Sequence, residues 1–536
     1  MLLFYKKQNA VSEASQSYKR LISYKNNPER AYLIAFWVIF ALCVLVRVVY
    51  YPSVPGGLNQ DEASMGYDAY ATAFYGIDRN GYRFPVYAMS WGSGQNVLMM
   101  YFTAVFVRLF GLNVFSVRLT SLIFGVAAPV VFYHLVKRFH PDNTEQGRKI
   151  PALCAFFLLS VAPWHIMLSR WALESNLLPV MFLIGIYLLV LAVQKNSTRY
   201  YCLSAGVFAL SMYAYATVCI MLPLFLLGVM VVLIKKKRMG VKQALCSGAV
   251  FFILSIPMVL FFAVNLLGLS SIRTPLFSVP RLTVMRSTVS FDSFSQNAGR
   301  LIELLIRQTD NLPWNGIEGF GIAYLFLLPF AFVGMVALIS DRKRAPYKLL
   351  MLWWFVCAFV LGCLIHVNVN RINLIFIPYI YLICEGVLFV ARRVKFSAPS
   401  VAIATTAAFM LFCGAYFGSD YKANIEQRFF ASYGEAVAAA NQAAGDRTVY
   451  LTPVNGTEVI VLFYTKYDPH TYINSVVFRD PNAEFRPVTS FGNFVVGIPK
   501  EKEQNAVYII KNDRLPEFKQ DYEIVNFQYY SVAIGR

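Results

Sequence analysis

Apolar runs long enough to cross a lipid bilayer recur along most of the chain, Tyr32–Val46 and Leu349–Ile365 among them. A helix needs roughly 20 apolar residues to span the hydrocarbon core. Charged residues make up only 14% of the 536, against roughly 25% in a soluble domain. A disordered chain or a nucleic-acid-binding tail is excluded, and an ordinary soluble enzyme is disfavoured. The pattern predicts a polytopic α-helical membrane protein with eleven spans, near 31–50, 119–136, 150–166, 177–193, 200–217, 219–234, 244–266, 319–340, 349–366, 372–391 and 399–417.

The formal net charge is +19. In a soluble protein such an excess suggests nucleic acid; in a membrane protein it marks cytoplasmic loops. Residues 418–536 hold 12 Lys/Arg and 14 Asp/Glu, so the whole excess lies in the hydrophobic part. Val97–Phe110 is apolar but short, with Arg108 near its end. If it lies on the surface, the segment 1–30 and the connectors Lys137–Lys149, Lys195–Arg199, Lys235–Lys242, Arg342–Lys348 and Arg392–Lys395 share one side and carry 24 Lys/Arg. If it spans, 18 of these move across. The positive-inside rule favours the surface helix. The expected topology has a cytoplasmic segment 1–30 serving no cleavable leader, a transmembrane unit 31–417 with long outer loops 51–118 and 267–318, and an extracytoplasmic C-terminal domain 418–536.

That last domain reads as a small α/β unit. Glu435–Ala444 is a helix, Thr448–Thr452 a strand, Val459–Tyr464 a short helix or strand, and Phe491–Ile498, Ala506–Ile510 and Glu523–Ala533 are strands. Asn455-Gly456-Thr457 matches a glycosylation sequon and is read as chance. The nine cysteines form no CxxC and lie mostly in apolar runs, as packing residues do. There is no phosphate-binding GxxxxGK[ST] loop, and so no sign of ATP-driven transport.

Four outward segments carry candidate chemistry. Asp61-Glu62 opens a surface helix, where a carboxylate could take a proton from an acceptor hydroxyl or simply cap the helix. In Ser169–Asn176, Arg170 and Glu174 stand four apart, either as a helical ion pair or as a site acid with a neighbouring cation. In His366-Val-Asn-Val-Asn370-Arg371, Arg371 is a cation beside a span. It suits a lipid phosphate bidentately, or it snorkels to the headgroups. His366 alone reads as structural rather than as a metal ligand. The loop 267–318 carries Arg273, Arg281, Arg286, Arg300 and Arg307 and ends near Asp310-Asn311 and Trp314-Asn315. It could cover a site or touch anionic lipid. Glu385, inside the tenth span, is explained equally well by helix packing. No HExxH, GxSxG or carboxylate metal cluster stands out.

The order of these pieces resembles a known family. Asp61-Glu62 follows the first span. Next come the aromatic Gly66-Tyr67-Asp68-Ala69-Tyr70, then Phe110-Gly111 to Ser116, Arg118 and Leu119, then Pro163, Ser169-Arg170 and Glu174. This is similar to the polyprenyl-phosphate-sugar-dependent GT-C glycosyltransferases. The nearest branch is glycosyltransferase family 39, with protein O-mannosyltransferases and lipid A aminoarabinose transferases. The likeness runs over 31–195 and more loosely over 300–395, and does not identify the C-terminal domain.

The resemblance implies a GT-C bundle with its site on the outer face and a sugar donor on a polyprenyl monophosphate. It implies Asp61 as base, Glu62 beside it, and Glu174 assisting where the family often has Asp. The aminoarabinose branch places a lysine for the donor phosphate near Trp91-Gly-Ser-Gly-Gln95-Asn96; this chain has none there. Arg371, and secondarily Arg170, are then the expected phosphate contacts, with Tyr67, Gln95, Asn96, His366, Asn370 and Asp310 as further substrate contacts. A single inverting displacement needs no cofactor, and a divalent metal is possible but not indicated. Expected partners are the lipid-linked donor, a glycan, lipid or protein acceptor, and membrane lipids, without nucleic acid. A bacterial plasma membrane, with the C-terminal domain helping to place the acceptor, completes the expectation. A lipid-linked-sugar flippase and a non-catalytic receptor remain as alternatives.

Overall fold

The computed structural model describes residues 28–90, 93–139, 145–285, 289, 291–340, 347–518 and 520–536. The N-terminal basic segment up to residue 27, Trp91, Arg286 and the basic residues of 342–344 lie outside the described residues.

Each expected span is a helix. In chain order they are α1 (Pro28–Val48), then after a surface helix α2 (Gln60–Tyr75), a hairpin β1 (Tyr87–Ser90) and β2 (Ser93–Asn96) and a short helix α3 (Leu98–Phe110), α4 (Val114–Phe139), α5 (Glu145–Val161) with its continuation α6 (Pro163–Leu168), α7 (Leu178–Lys195), α8 (Thr198–Ser211), α9 (Val218–Lys235) and α10 (Val241–Leu266). A loop with strands β3 (Ile272–Arg273) and β4 (Ser278–Val279) and helix α11 (Phe294–Arg307) leads to α12 (Leu328–Ser340), α13 (Lys348–Leu364), α14 (Phe376–Ala391) and α15 (Ser397–Tyr416). Among the described residues, seven helices are long and apolar enough to cross a membrane by themselves. The chain is a multi-pass membrane protein.

Three spans differ from expectation: the eighth, expected over 319–340, is helical only from Leu325. The third breaks at Ala162, where Pro163 starts α6, because proline lacks the N–H that would continue the helix. The Trp164 amide turns instead to the Gly321 carbonyl at 3.0 Å. The fifth ends at Ser211 rather than 217, and 212–217 form a turn.

α3 does not cross the bundle. Its first amide, Leu98, donates to Tyr213 O at the end of α8. Just past its other end, Phe115 O accepts from Tyr51 Oη at 2.8 Å, beside the end of α1. Both ends therefore lie at the same face of the bundle. α12 and α14 pack tightly through small residues: a Cβ on Gly334 would lie 1.9 Å from Leu382 O, and one on Gly386 1.9 Å from Phe330 O. Small residues let helix backbones approach where lipid supplies no hydrophobic drive.

After α16 (Ser419–Arg428) the C-terminal unit comprises α17 (Tyr433–Ala444), β5 (Val449–Leu451), α18 (Thr457–Thr465), α19 (Pro469–Ser475), β6 (Val477–Phe478), β7 (Val488–Phe491), β8 (Phe494–Val496), β9 (Val507–Lys511), β10 (Tyr522–Asn526) and β11 (Tyr530–Gly535). The strands form one mixed sheet in the order β10-β11-β9-β5-β8-β7-β6, with β5 parallel to both its neighbours. The expected strand 491–498 is half of a hairpin turning at Gly492, and 523–533 is a second hairpin.

The unit is seated on α2. Tyr67 Oη donates to Tyr467 O at 2.7 Å, and the Leu58 amide to Phe429 O at 2.7 Å. Gly456 has φ +72°, and a Cβ there would lie 2.8 Å from Gln60 Cβ. Only glycine suits both that backbone and that approach.

Candidate functional site

α2 begins with a capping box: the Asn59 side chain accepts from the Asp61 amide at 2.9 Å, and Glu62 accepts from the Asn59 amide at 3.2 Å. Glu62 is fully buried. It takes two bonds from Arg118 of α4, Nε to Oε1 at 2.8 Å and Nη2 to Oε2 at 2.7 Å. The Ala172 amide adds a third donor at 2.8 Å. Arg118 spends its remaining protons on the carbonyls of Pro52, Pro55 and Gly57. A carboxylate so occupied is a joint between α2, α4 and the 167–176 loop. The sequence placed Glu62 beside the expected base; in the structure both its oxygens are engaged by protein donors.

Arg170, expected as a secondary phosphate contact, is likewise engaged within the protein. Its buried guanidinium donates to the carbonyls of Val46, Arg47, Val49 and Val54 and lies over the rings of Tyr416 and Phe417. It closes the C-terminal end of α1, where free carbonyls favour a cation.

Asp61, one residue before Glu62, is half-buried and faces elsewhere. The decisive marker is Tyr215, in the turn between α8 and α9. Its hydroxyl lies within electrostatic reach of Glu174, Arg371 and Asp61. Burial first, then Glu174 and Asp61, push this phenol's pKa up, while Arg371 opposes the shift. Glu174 and Asp61 also interact with each other. Four segments distant in sequence thus bring two carboxylates, a guanidinium and a neutral phenol to one place. Sequence reading missed Tyr215; an uncharged residue in a six-residue turn carries no pattern that singles it out.

Several expected substrate contacts also hold neighbouring segments in place. The Asn96 amide donates to Glu174 Oε2, and its side chain bridges Met212 O at 3.2 Å and the Ala216 amide at 3.0 Å, fixing the Tyr215 turn. Asp310 accepts from the Val369 amide at 2.9 Å, from Asn315 Nδ2 at 2.8 Å and from the Leu312 amide at 3.1 Å, so it holds the loop that presents Arg371. Tyr67 anchors the C-terminal unit, as described above. Asn370 is half-buried and His366 exposed on the Arg371 loop.

Gln95 lies behind Asp61. Its Oε1 accepts from Ser64 Oγ at 2.9 Å and from Ser90 Oγ at 3.3 Å. That leaves its Nε2 to donate to Asp61 Oδ1 at a long 3.5 Å. Ser90 is held by Arg79 Nη2 at 2.5 Å, and Arg79 pairs with buried Asp68 at 3.4 Å. Asp78, next to this pair and fully buried, has its carboxyl pushed up to about 7 by burial and by the nearby Asp68 charge.

Glu385, deep in α14, is paired with Lys348 at 2.9 Å and accepts from Tyr381 Oη at 2.7 Å. It is a helix-packing contact and not an open polar group on a pathway. Among the described residues, no group of three or more His, Cys, Asp and Glu is placed to hold a metal.

Known proteins give this arrangement a context. Residues 95–261 match the family described as dolichyl-phosphate-mannose-protein mannosyltransferase. No curated protein matches the chain in sequence. The crystal structure of ArnT from Cupriavidus metallidurans in the apo state matches over 94% of this chain and 97% of its own, at 12% identity and a TM-score of 0.52. The same protein bound to undecaprenyl phosphate matches with a TM-score of 0.48, over 94% and 97% of the two chains at 12% identity. The apo oligosaccharyltransferase of Archaeoglobus fulgidus matches over 81% of this chain and 64% of its own, at 14% identity and a TM-score of 0.45. The chain resembles the GT-C glycosyltransferases and carries their fold.

Proposed function

We propose that the protein is a membrane glycosyltransferase that moves a sugar from a polyprenyl-phosphate donor to a hydroxyl-bearing acceptor on the outer side of the membrane. The observation that carries this reading is that adjacent residues of β2 hold the two acids, Gln95 bonding Asp61 and Asn96 bonding Glu174, with Asn96 also fixing the turn that carries Tyr215. The dolichyl-phosphate-linked donor in the description of the matching family supports the donor class.

In the proposed step Asp61 takes the proton of the acceptor hydroxyl. The acceptor oxygen forms a bond to the anomeric carbon as the bond from that carbon to the phosphate oxygen breaks. One displacement inverts the configuration. The lipid phosphate leaves as an anion, and Arg371, with the Tyr215 hydroxyl beside it, stabilises the developing charge. Glu174, fixed by the Asn96 amide, holds the acceptor or orients Asp61. Proton and electron pairs balance without a cofactor. Placing 1–30 in the cytoplasm and the C-terminal unit outside, in a bacterial plasma membrane, follows from the charge distribution and belongs to the same proposal.

Release of polyprenyl phosphate by the purified chain, across a panel of polyprenyl-phosphate sugars and acceptors, tests it. Asp61→Asn is expected to slow release by roughly 10²–10⁴ while donor binding and folding persist. A receptor would be indifferent to that change, and a flippase would move donor without cleaving it.

A further inference from the structure

Asp61 borders two spaces. On one side is Glu174, held by Asn96 next to the Gln95 that bonds Asp61, with the Tyr215 turn fixed by the same Asn96. On the other is a cavity of about 660 Å3 between the first turn of α2 and the C-terminal unit, lined by Gln60, Asp61, Asn455, Glu458, Arg479 and Phe485 among others. We propose that this cavity is the acceptor site of the transferase reading above, and that its ligand is a neutral saccharide.

The place follows from chemistry. A base must touch the hydroxyl that it deprotonates, and Asp61 is the only group named on both sides. The arginine that suits the departing phosphate interacts with Tyr215 and is absent from the cavity lining, which leaves the cavity to the acceptor. Its size falls in the range of small-molecule sites, roughly 300–1,000 Å3. Its walls are held in place by the Gly456–Gln60 approach and the Tyr67–Tyr467 bond.

The ligand class follows from the lining. Carboxylates only accept, guanidinium only donates, and the amides of Gln60 and Asn455 do both. Sugar hydroxyls, each donor and acceptor, suit such a mixture. Two acids against one arginine disfavour an anionic ligand. Phe485, 58% exposed, offers an aromatic face for the apolar side of a sugar ring. A peptide would seek a free sheet edge. The lining strand residues are Val488 of β7 and Val496 of β8, both on interior strands, whereas the edges are β6 and β10.

Saturation-transfer NMR on the full chain in lipid nanodiscs tests this, with maltotriose and a neutral threonine peptide as probes. The wild type is expected to saturate maltotriose protons and not peptide protons. Phe485→Ala and Asn455→Ala, both at exposed positions, are expected to weaken that binding roughly tenfold together, on the scale of one lost ring contact and its hydrogen-bonding neighbour. A signal from the peptide alone, no maltotriose signal, or one insensitive to both substitutions overturns the proposal. Donor cleavage in the same samples is read separately. Maltotriose binding without any donor cleavage defeats the transferase reading and leaves a saccharide site that is not an acceptor site.

Discussion

On one flank of α2, Glu62 gives its oxygens to Arg118, Ala172 and Asn59, and nothing remains for a substrate. On the adjoining flank, Asp61 looks onto the Tyr215 cluster and a cavity. The same contrast separates two arginines: Arg170 donates to the carbonyls around the end of α1, while the Arg371 charge is felt by the Tyr215 phenol. The difference teaches that a charge in this face of the bundle either builds the site or works in it. What decides is whether backbone groups have already claimed it.

The strongest way to break this comparison is to remove a partner on the locked flank. Arg118→Ala leaves Glu62 buried and unpaired, a loss of about 3–5 kcal/mol, visible as a large fall in the thermal midpoint. Asp61→Asn is expected to leave the midpoint unchanged while turnover falls by roughly 10²–10⁴. Equal melting of the two variants would erase the distinction between the flanks.

The arginines sharpen it further. Arg371→Lys is expected to cost roughly tenfold to a hundredfold in kcat/KM for the donor, the worth of a charge-assisted bond, with the fold intact. Arg170→Lys is expected to lower stability and leave donor KM alone. The reverse pattern would exchange their roles.

The smallest effect concerns Asp78. Its carboxyl is pushed up from the ordinary 3.8 to about 7, so the folded chain holds a proton that the unfolded chain has lost. That favours folding most below about pH 4, and the contribution drains as pH rises through 7, at no more than ~1.4 kcal/mol per pH unit. Asp78→Asn is expected to flatten the midpoint between pH 5 and 7. An unchanged slope would show that another group carries it.

The spans were legible because hydropathy alone dictates them in lipid, and the short length of α3 together with the basic connectors revealed that it stays at one face. The break at Ala162 was signalled by Pro163 but hidden within an unbroken apolar run. In the C-terminal unit the paired hairpins at 488–496 and 522–535 read as single strands, since both arms share one alternation. Asp61, Glu174 and Arg371, the residues of the proposed site, stand out in the sequence as charges beside spans. The structural bonds of Glu62, Arg170, Asn96 and Asp310 were not legible, since they run to residues distant in sequence and, for Arg170, wholly to main-chain carbonyls, which leave no trace in residue identity. Tyr215 had no charge to betray it.

The Asn59 capping box has a consequence beyond stability. By fixing where α2 begins, it sets the helix's rotational phase. Each residue turns a helix by about 100°. Starting one position earlier or later would swing Asp61 off its neighbours and bring a different side chain toward them. The cap acts as an index mark: it determines which of two adjacent acids becomes the joint and which is presented to the cavity.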